Sequence, residues 1–122
     1  MLAVWIDSQE AKIFNFTPEK VETTHMKMHG STHHGAGHTH SQVSPEVEKF
    51  YHEVCHQMEK DKASKFLLVG PGMAHTHLKV HMEKHHPALV KNILGVEAME
   101  KLSDGQIIDH AKDFFKKHDL YI

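Results

Sequence analysis

The sequence predicts an α/β (α+β) chain, a single mixed β-sheet of about five strands with three main helices packed on it. Three features predict this. Short apolar and β-branched runs open the chain with only a polar turn between the first two. Later, Phe66-Leu67-Leu68-Val69 is apolar without alternation, as in a strand covered on both faces. Two serine-led helix starts, at Ser44 and Ser103, mark where helical segments begin.

Leu2–Ile6 and residues 12–16 are the first two strands, joined by the hairpin connection Asp7-Ser8-Gln9-Glu10. Residues 21–28, with Thr23 and Thr24, give a weaker third strand and complete an antiparallel meander. Residues 30–42 lack apolar periodicity and are built largely of Gly, Ser, Thr and His, which predicts a long mobile loop. Ser44-Pro45-Glu46 then supplies a cap, a proline at the first helical position and a carboxylate at the positive end of the dipole. This helix is expected to reach residue 62, and residues 65–70 form a strand expected at the sheet centre. Gly70-Pro71-Gly72 breaks the chain before a second helix that ends near His85, where Pro87 stops it or begins a short helical turn. Residues 93–99 are the fifth strand. Ser103-Asp104-Gly105-Gln106 fits a capping box ahead of an amphipathic helix whose apolar face is Ile107, Ile108, Ala111, Phe114 and Phe115. No internal repeat or boundary divides residues 1–122, which read as one domain.

Composition narrows the function classes. The formal net charge of -2 gives no global attraction to nucleic acid or anionic membrane, so any such partner must be met by a local patch. All 14 basic side chains are lysine, which removes the fork best shaped for guanine or bidentate phosphate recognition and argues against sequence-specific DNA reading. Cys55 is the single cysteine, a usage suited to a reducing cytoplasm. The start of the chain carries no signal-like segment, and no run approaches the roughly 18 apolar residues of a spanning helix. A soluble cytoplasmic protein without a membrane partner is expected.

Histidine is the unusual residue, 15 of 122. Six lie close together, His25, His29, His33, His34, His38 and His40, interleaved with Gly30, Gly35 and Gly37. Between Glu22 and Glu46 there is no acid, and Lys27 is the one lysine, so the charge of this stretch depends on imidazoles that titrate near neutrality. Three readings are open. His33, His34, His38 and His40 can ligate zinc, nickel or copper, at the cost of ordering a loop. Partly protonated imidazoles can touch RNA backbone. Or the stretch is a solvated linker.

Other constellations are weaker. His52-Glu53-Val54-Cys55-His56 matches the HExxH zinc-protease pattern on a helix. However, Val47, Phe50, Tyr51, Val54 and Met58 define that helix's core face, which turns His52 and His56 to solvent and allows at most an adventitious surface metal site. His77, His81 and His85 share one side of the second helix at a spacing that can hold a divalent metal, yet they read first as polar flank residues. Gly70-Pro71-Gly72 lacks the lysine and spaced glycines of phosphate-binding loops and reads as a tight turn. Asp7 ends the first strand where RNase H-type nucleases carry a metal-binding aspartate, but no carboxylates gather with it, so it reads as a turn residue.

The run Phe66-Leu67-Leu68-Val69-Gly70-Pro71-Gly72-Met73-Ala74-His75-Thr76-His77-Leu78-Lys79, with Glu83-Lys84-His85-His86-Pro87 and Ser103-Asp104-Gly105-Gln106, resembles bacterial translational machinery proteins. These are similar to the middle domain of archaeal and eukaryotic class I peptide chain release factors and of Pelota. The resemblance implies one release-factor middle-domain-like domain of RNase H-like topology, with a mobile loop over residues 29–42. It also implies a translation-associated partner. In release factors the equivalent loop carries Gly-Gly-Gln and promotes peptidyl-tRNA hydrolysis. This stretch has Met28-His29-Gly30, Gly35-Ala36-Gly37 and Ser41-Gln42 but no Gly-Gly-Gln, so hydrolysis does not carry over. Nothing here corresponds to the decoding or GTPase-contacting domains. The expectation is therefore a non-enzymatic ribosome- or RNA-associated domain contacting rRNA or tRNA through Lys27, His29, Gly30, His33, His34, Gly35, Gly37, His38 and His40. Binding of zinc or nickel by the loop histidines is the alternative.

Overall fold

Leu2–Ile6, strand β1, is buried at every position, because its apolar side chains alternate into two separate cores. Leu2, Val4 and Ile6 enter one, Ala3 and Trp5 the other. The computed structural model describes residues 1–28, 44–60 and 65–118. Within them β2 (Glu10–Phe16) pairs antiparallel with β1, and β3 (Val21–Lys27) pairs antiparallel with β2. β4 (Phe66–Gly70) lies parallel to β1, and β5 (Ile93–Ala98) parallel to β4. The sheet order is β3-β2-β1-β4-β5. The expected mixed sheet is present, with one correction: β4 is interior, but the centre belongs to β1. Both strands are apolar on two faces, so that pattern alone does not rank them.

Helices α1 (Pro45–Glu59), α2 (Ala74–His85) and the short α3 (Pro87–Val90) cover one face. There Phe50, Tyr51, Val54, Cys55, Met58, Leu78, Met82 and Leu89 meet Val4, Ile6, Phe66 and Leu68. Helix α4 (Asp104–Lys117) covers the other, where Ile107, Ala111 and Phe115 meet Ala3, Trp5, Phe14, Leu67 and Val69. The local signals explain these bounds. Ser44 Oγ accepts from Val47 N at 3.3 Å with Pro45 in the first turn, and Ser103 and Gln106 form the reciprocal capping box. The first helix ends at Glu59 with a cap at Lys60, three residues short of the expected limit.

Two expected turns are confirmed. Asp7 Oδ1 accepts from Gln9 N and Glu10 N, each at 2.8 Å, so its carboxylate closes the β1–β2 hairpin. At the end of β4 a side chain on Gly70 would run into the Ile6 carbonyl, and Gly72 takes a positive φ of 60°. Close strand approach and chain reversal account for these glycines. No helix among the described residues is long and apolar enough to cross a membrane.

Candidate functional site

Two places in the fold gather the side chains singled out by sequence. The first is the end of β3. Lys27 is the last residue of the strand and is exposed, with Met26 and Met28 packed against the α1–α2 core on either side of it. His25, Met26 and Lys27 line a shallow depression with Glu53 of α1. His25 also bonds Glu10 across the β2–β3 ladder, and Lys101 Nζ donates to the second Glu10 oxygen at 3.1 Å. These partners, His25 first, hold the Glu10 carboxyl below its usual range. The remaining expected contact residues, His29, Gly30, His33, His34, Gly35, Gly37, His38 and His40, lie outside the described residues, as does the metal set His33, His34, His38 and His40.

The second place is the groove between α1 and the C-terminal end of α2. α2 docks through Leu78 and Met82, which brings His81 against α1 on the same side. His81 is only 4% exposed, edge-on to Tyr51 with ring centroids 5.7 Å apart. Its Nδ1 lies 3.1 Å from Glu48 Oε1 and its Nε2 3.3 Å from His52 Nδ1. Burial, then the neighbouring His52, lowers the His81 pKa, against the pull of Glu48. Pro87 stops α2, and His86, the cap residue between α2 and α3, leaves the helical backbone at φ -139° and ψ 57°. Its ring thereby faces α1, with Nδ1 3.0 Å from Glu59 Oε2 and Nε2 3.1 Å from His52 Nδ1. His85 stands over the same cluster, its ring centroid 4.7 Å from His81 and 5.3 Å from His52.

His52 is half-buried rather than fully turned to solvent, because its Nδ1 meets His81 and His86. The helical wheel of α1 is right in isolation, but α2 and His86 cover the flank on which His52 stands. The protease pattern itself fails: His56 points away, its side chain 77% exposed near Glu59. His81 and His85 do share a site, whereas His77 is exposed and outside it. Cys55 is no donor here, since burial and then Glu59 push its thiol up to about 12, which keeps it protonated. His86 enters the sequence reading only within the run Glu83-Lys84-His85-His86-Pro87 and not as a candidate ligand. The signal available was a histidine immediately before the proline that ends the helix.

No protein-family model matches the sequence, and no curated protein sequence matches it. Solved structures do. Pelota from Archaeoglobus fulgidus superimposes with a TM-score of 0.67 at 17% identity, over 92% of this chain and 30% of that one. The fold is Pelota-like. Dom34 of S. cerevisiae, described as a translation termination-like factor involved in RNA quality control pathways and interacting with Hbs1, gives 0.65 at 16% identity over 98% and 34%. Archaeal Pelota in a model of its ribosome-bound state with ABCE1 gives 0.65 at 19% identity over 96% and 33%. The chain spans about a third of the length of each of these proteins.

Proposed function

We propose that this chain is a non-enzymatic, translation-associated domain that binds the ribosome or RNA through the stretch that follows β3. Lys27, His29, Gly30, His33, His34, Gly35, Gly37, His38 and His40 are its contact residues. The observation that carries the reading is the match of nearly the whole chain to Pelota and Dom34, one described in a model of its ribosome-bound state and the other in RNA quality control. Charge supports it. The stretch between Glu22 and Glu46 has no acid, and it begins beside exposed Lys27 and His25 at the open edge of the sheet. A contact of this kind draws on lysine and protonated imidazole against phosphate, so it weakens as rising salt lowers the gain from counterion release.

Ribosome co-sedimentation across a salt series tests this. The intact chain is expected in the pellet at low salt and increasingly in the supernatant as salt rises, with a chain lacking residues 31–40 shifted to lower salt. Failure to pellet at low salt, or equal pelleting of the two chains, overturns the proposal.

A further inference from the structure

Two imidazole nitrogens 3.1 Å apart are compatible only if one carries a proton or both face a cation. That rule leaves a surplus of lone pairs between α1 and α2. A carboxylate accepts only, so Glu48 and Glu59 place protons on Nδ1 of His81 and His86, at 3.1 and 3.0 Å. In its neutral form each ring then presents a bare Nε2. Both Nε2 atoms lie beside one atom, His52 Nδ1, at 3.3 and 3.1 Å. A single hydrogen on His52 Nδ1 serves one of them well and leaves the other without a donor. A cation serves all three.

The spacing agrees with that use. Nitrogens bound to one tetrahedral zinc at about 2.0–2.1 Å stand roughly 3.3 Å from each other. Two of the three separations here are 3.1 and 3.3 Å, and all three donor atoms lie within 4.8 Å of one another. The pattern of a carboxylate holding the far nitrogen of a ligating histidine is the one that fixes tautomer and ring orientation at metal centres. We propose that His52, His81 and His86 form a binding site for a divalent transition metal, with Glu48 and Glu59 as positioning residues. An all-imidazole donor set favours zinc, cobalt, nickel or copper over magnesium or calcium. His85 stands nearby, its ring centroid 4.7 Å from His81 and 5.3 Å from His52, so that ring or water is available for a fourth position.

The histidines of residues 31–40 are a separate source of ligands, so the test is made in a chain lacking residues 31–40 as well as in the full chain. Zn2+ is titrated by calorimetry, and Co2+ by its visible absorption, which distinguishes tetrahedral from octahedral coordination. The shortened chain is expected to retain a single equivalent of metal with the tetrahedral Co2+ spectrum. H52A and H86A, in that background, are each expected to weaken binding at least about tenfold. Glu59→Gln is expected to weaken it by about tenfold while the Co2+ spectrum stays tetrahedral. H110A on α4 is expected to change nothing. His81 is buried and its replacement risks the fold, so His52 and His86 carry the comparison, with far-ultraviolet circular dichroism confirming that both variants fold. Loss of all binding on deletion of residues 31–40, or unchanged affinity in both H52A and H86A, overturns the site. Because ribosome co-sedimentation is a separate measurement, failure here leaves the proposed function standing or falling on its own test.

Discussion

From residue 25 to residue 40 histidines crowd together in the chain, whereas His52, His81 and His86 are separated by 29 and 34 positions and meet only after α1 and α2 have packed. The first group is conspicuous in sequence and has no acidic residue within its own stretch, and its described member His25 bonds Glu10 of the neighbouring strand. The second is inconspicuous in sequence and has one carboxylate on each of two rings. Density of a ligand type along a chain therefore says little about affinity. Rings held by packing and hydrogen bonds, as His52, His81 and His86 are, have met their ordering cost during folding.

The strongest way to break this contrast is to unpack the second group without touching a ligand. Leu78 is fully buried beneath α2 in the core that α2 shares with α1. Leu78→Ala is expected to destabilise the fold by about 2–5 kcal/mol, the usual range for a buried leucine. It should also weaken Zn2+ binding in the chain lacking residues 31–40. Urea unfolding and metal titration on the same sample read both effects. Preserved metal affinity in a clearly destabilised variant would mean that helix docking does not organise the rings.

A third histidine environment sharpens the contrast further. His75, in the first turn of α2, is 4% exposed, and its Nδ1 has no hydrogen-bond partner among the described residues. Burial, then His77, holds its pKa below the usual 6.5. A group whose folded pKa is depressed takes up its proton first in the unfolded chain. Stability is accordingly retained above the unfolded value and declines as pH falls from about 6.5 toward the folded value, by at most about 1.4 kcal/mol per pH unit for one group. Replacing His75 by leucine, which does not titrate, should flatten the unfolding free energy between pH 6.5 and 5 in denaturant melts. An unchanged slope would assign the acid sensitivity elsewhere. Glu10 acts lower: its depressed carboxyl contributes stability above the unfolded carboxylate range that is lost as pH falls through its folded value.

Most of the fold was readable because each signal was local. Asp7 in its hairpin, Ser44-Pro45 and the Ser103–Gln106 box report on bonds made within a few residues, and they occur where expected. The apolar faces of α1 and α4 follow from one helix's own periodicity, with Cys55 the single buried addition on α1. The rank of β1 and β4 in the sheet was not readable, since it depends on which strands pair. The histidine cluster was half readable. The i, i+4 pair His81 and His85 lies on one helix, but His52 comes from a second helix and His86 from the break made by Pro87. A wheel drawn for α1 alone has no means of showing that another helix will lie against its flank.

The smallest expected effect bears on the first group. Lys27 ends β3 opposite Glu10 in the ladder, on the strand that carries His25 and leads into the acid-free stretch. If that stretch meets phosphate, Lys27 is its one lysine, between Glu22 and Glu46, and stands at the exposed strand end. Lys27→Ala should then lower the slope of log affinity against log salt by about 0.7–0.9, the share of a single phosphate contact, with a loss of affinity of only several-fold at physiological salt. The slope is the informative quantity. A uniform loss without a change of slope would assign Lys27 to packing of the strand end, whereas a reduced slope together with unaltered zinc binding by His52, His81 and His86 would show the two histidine regions to act on different ligands.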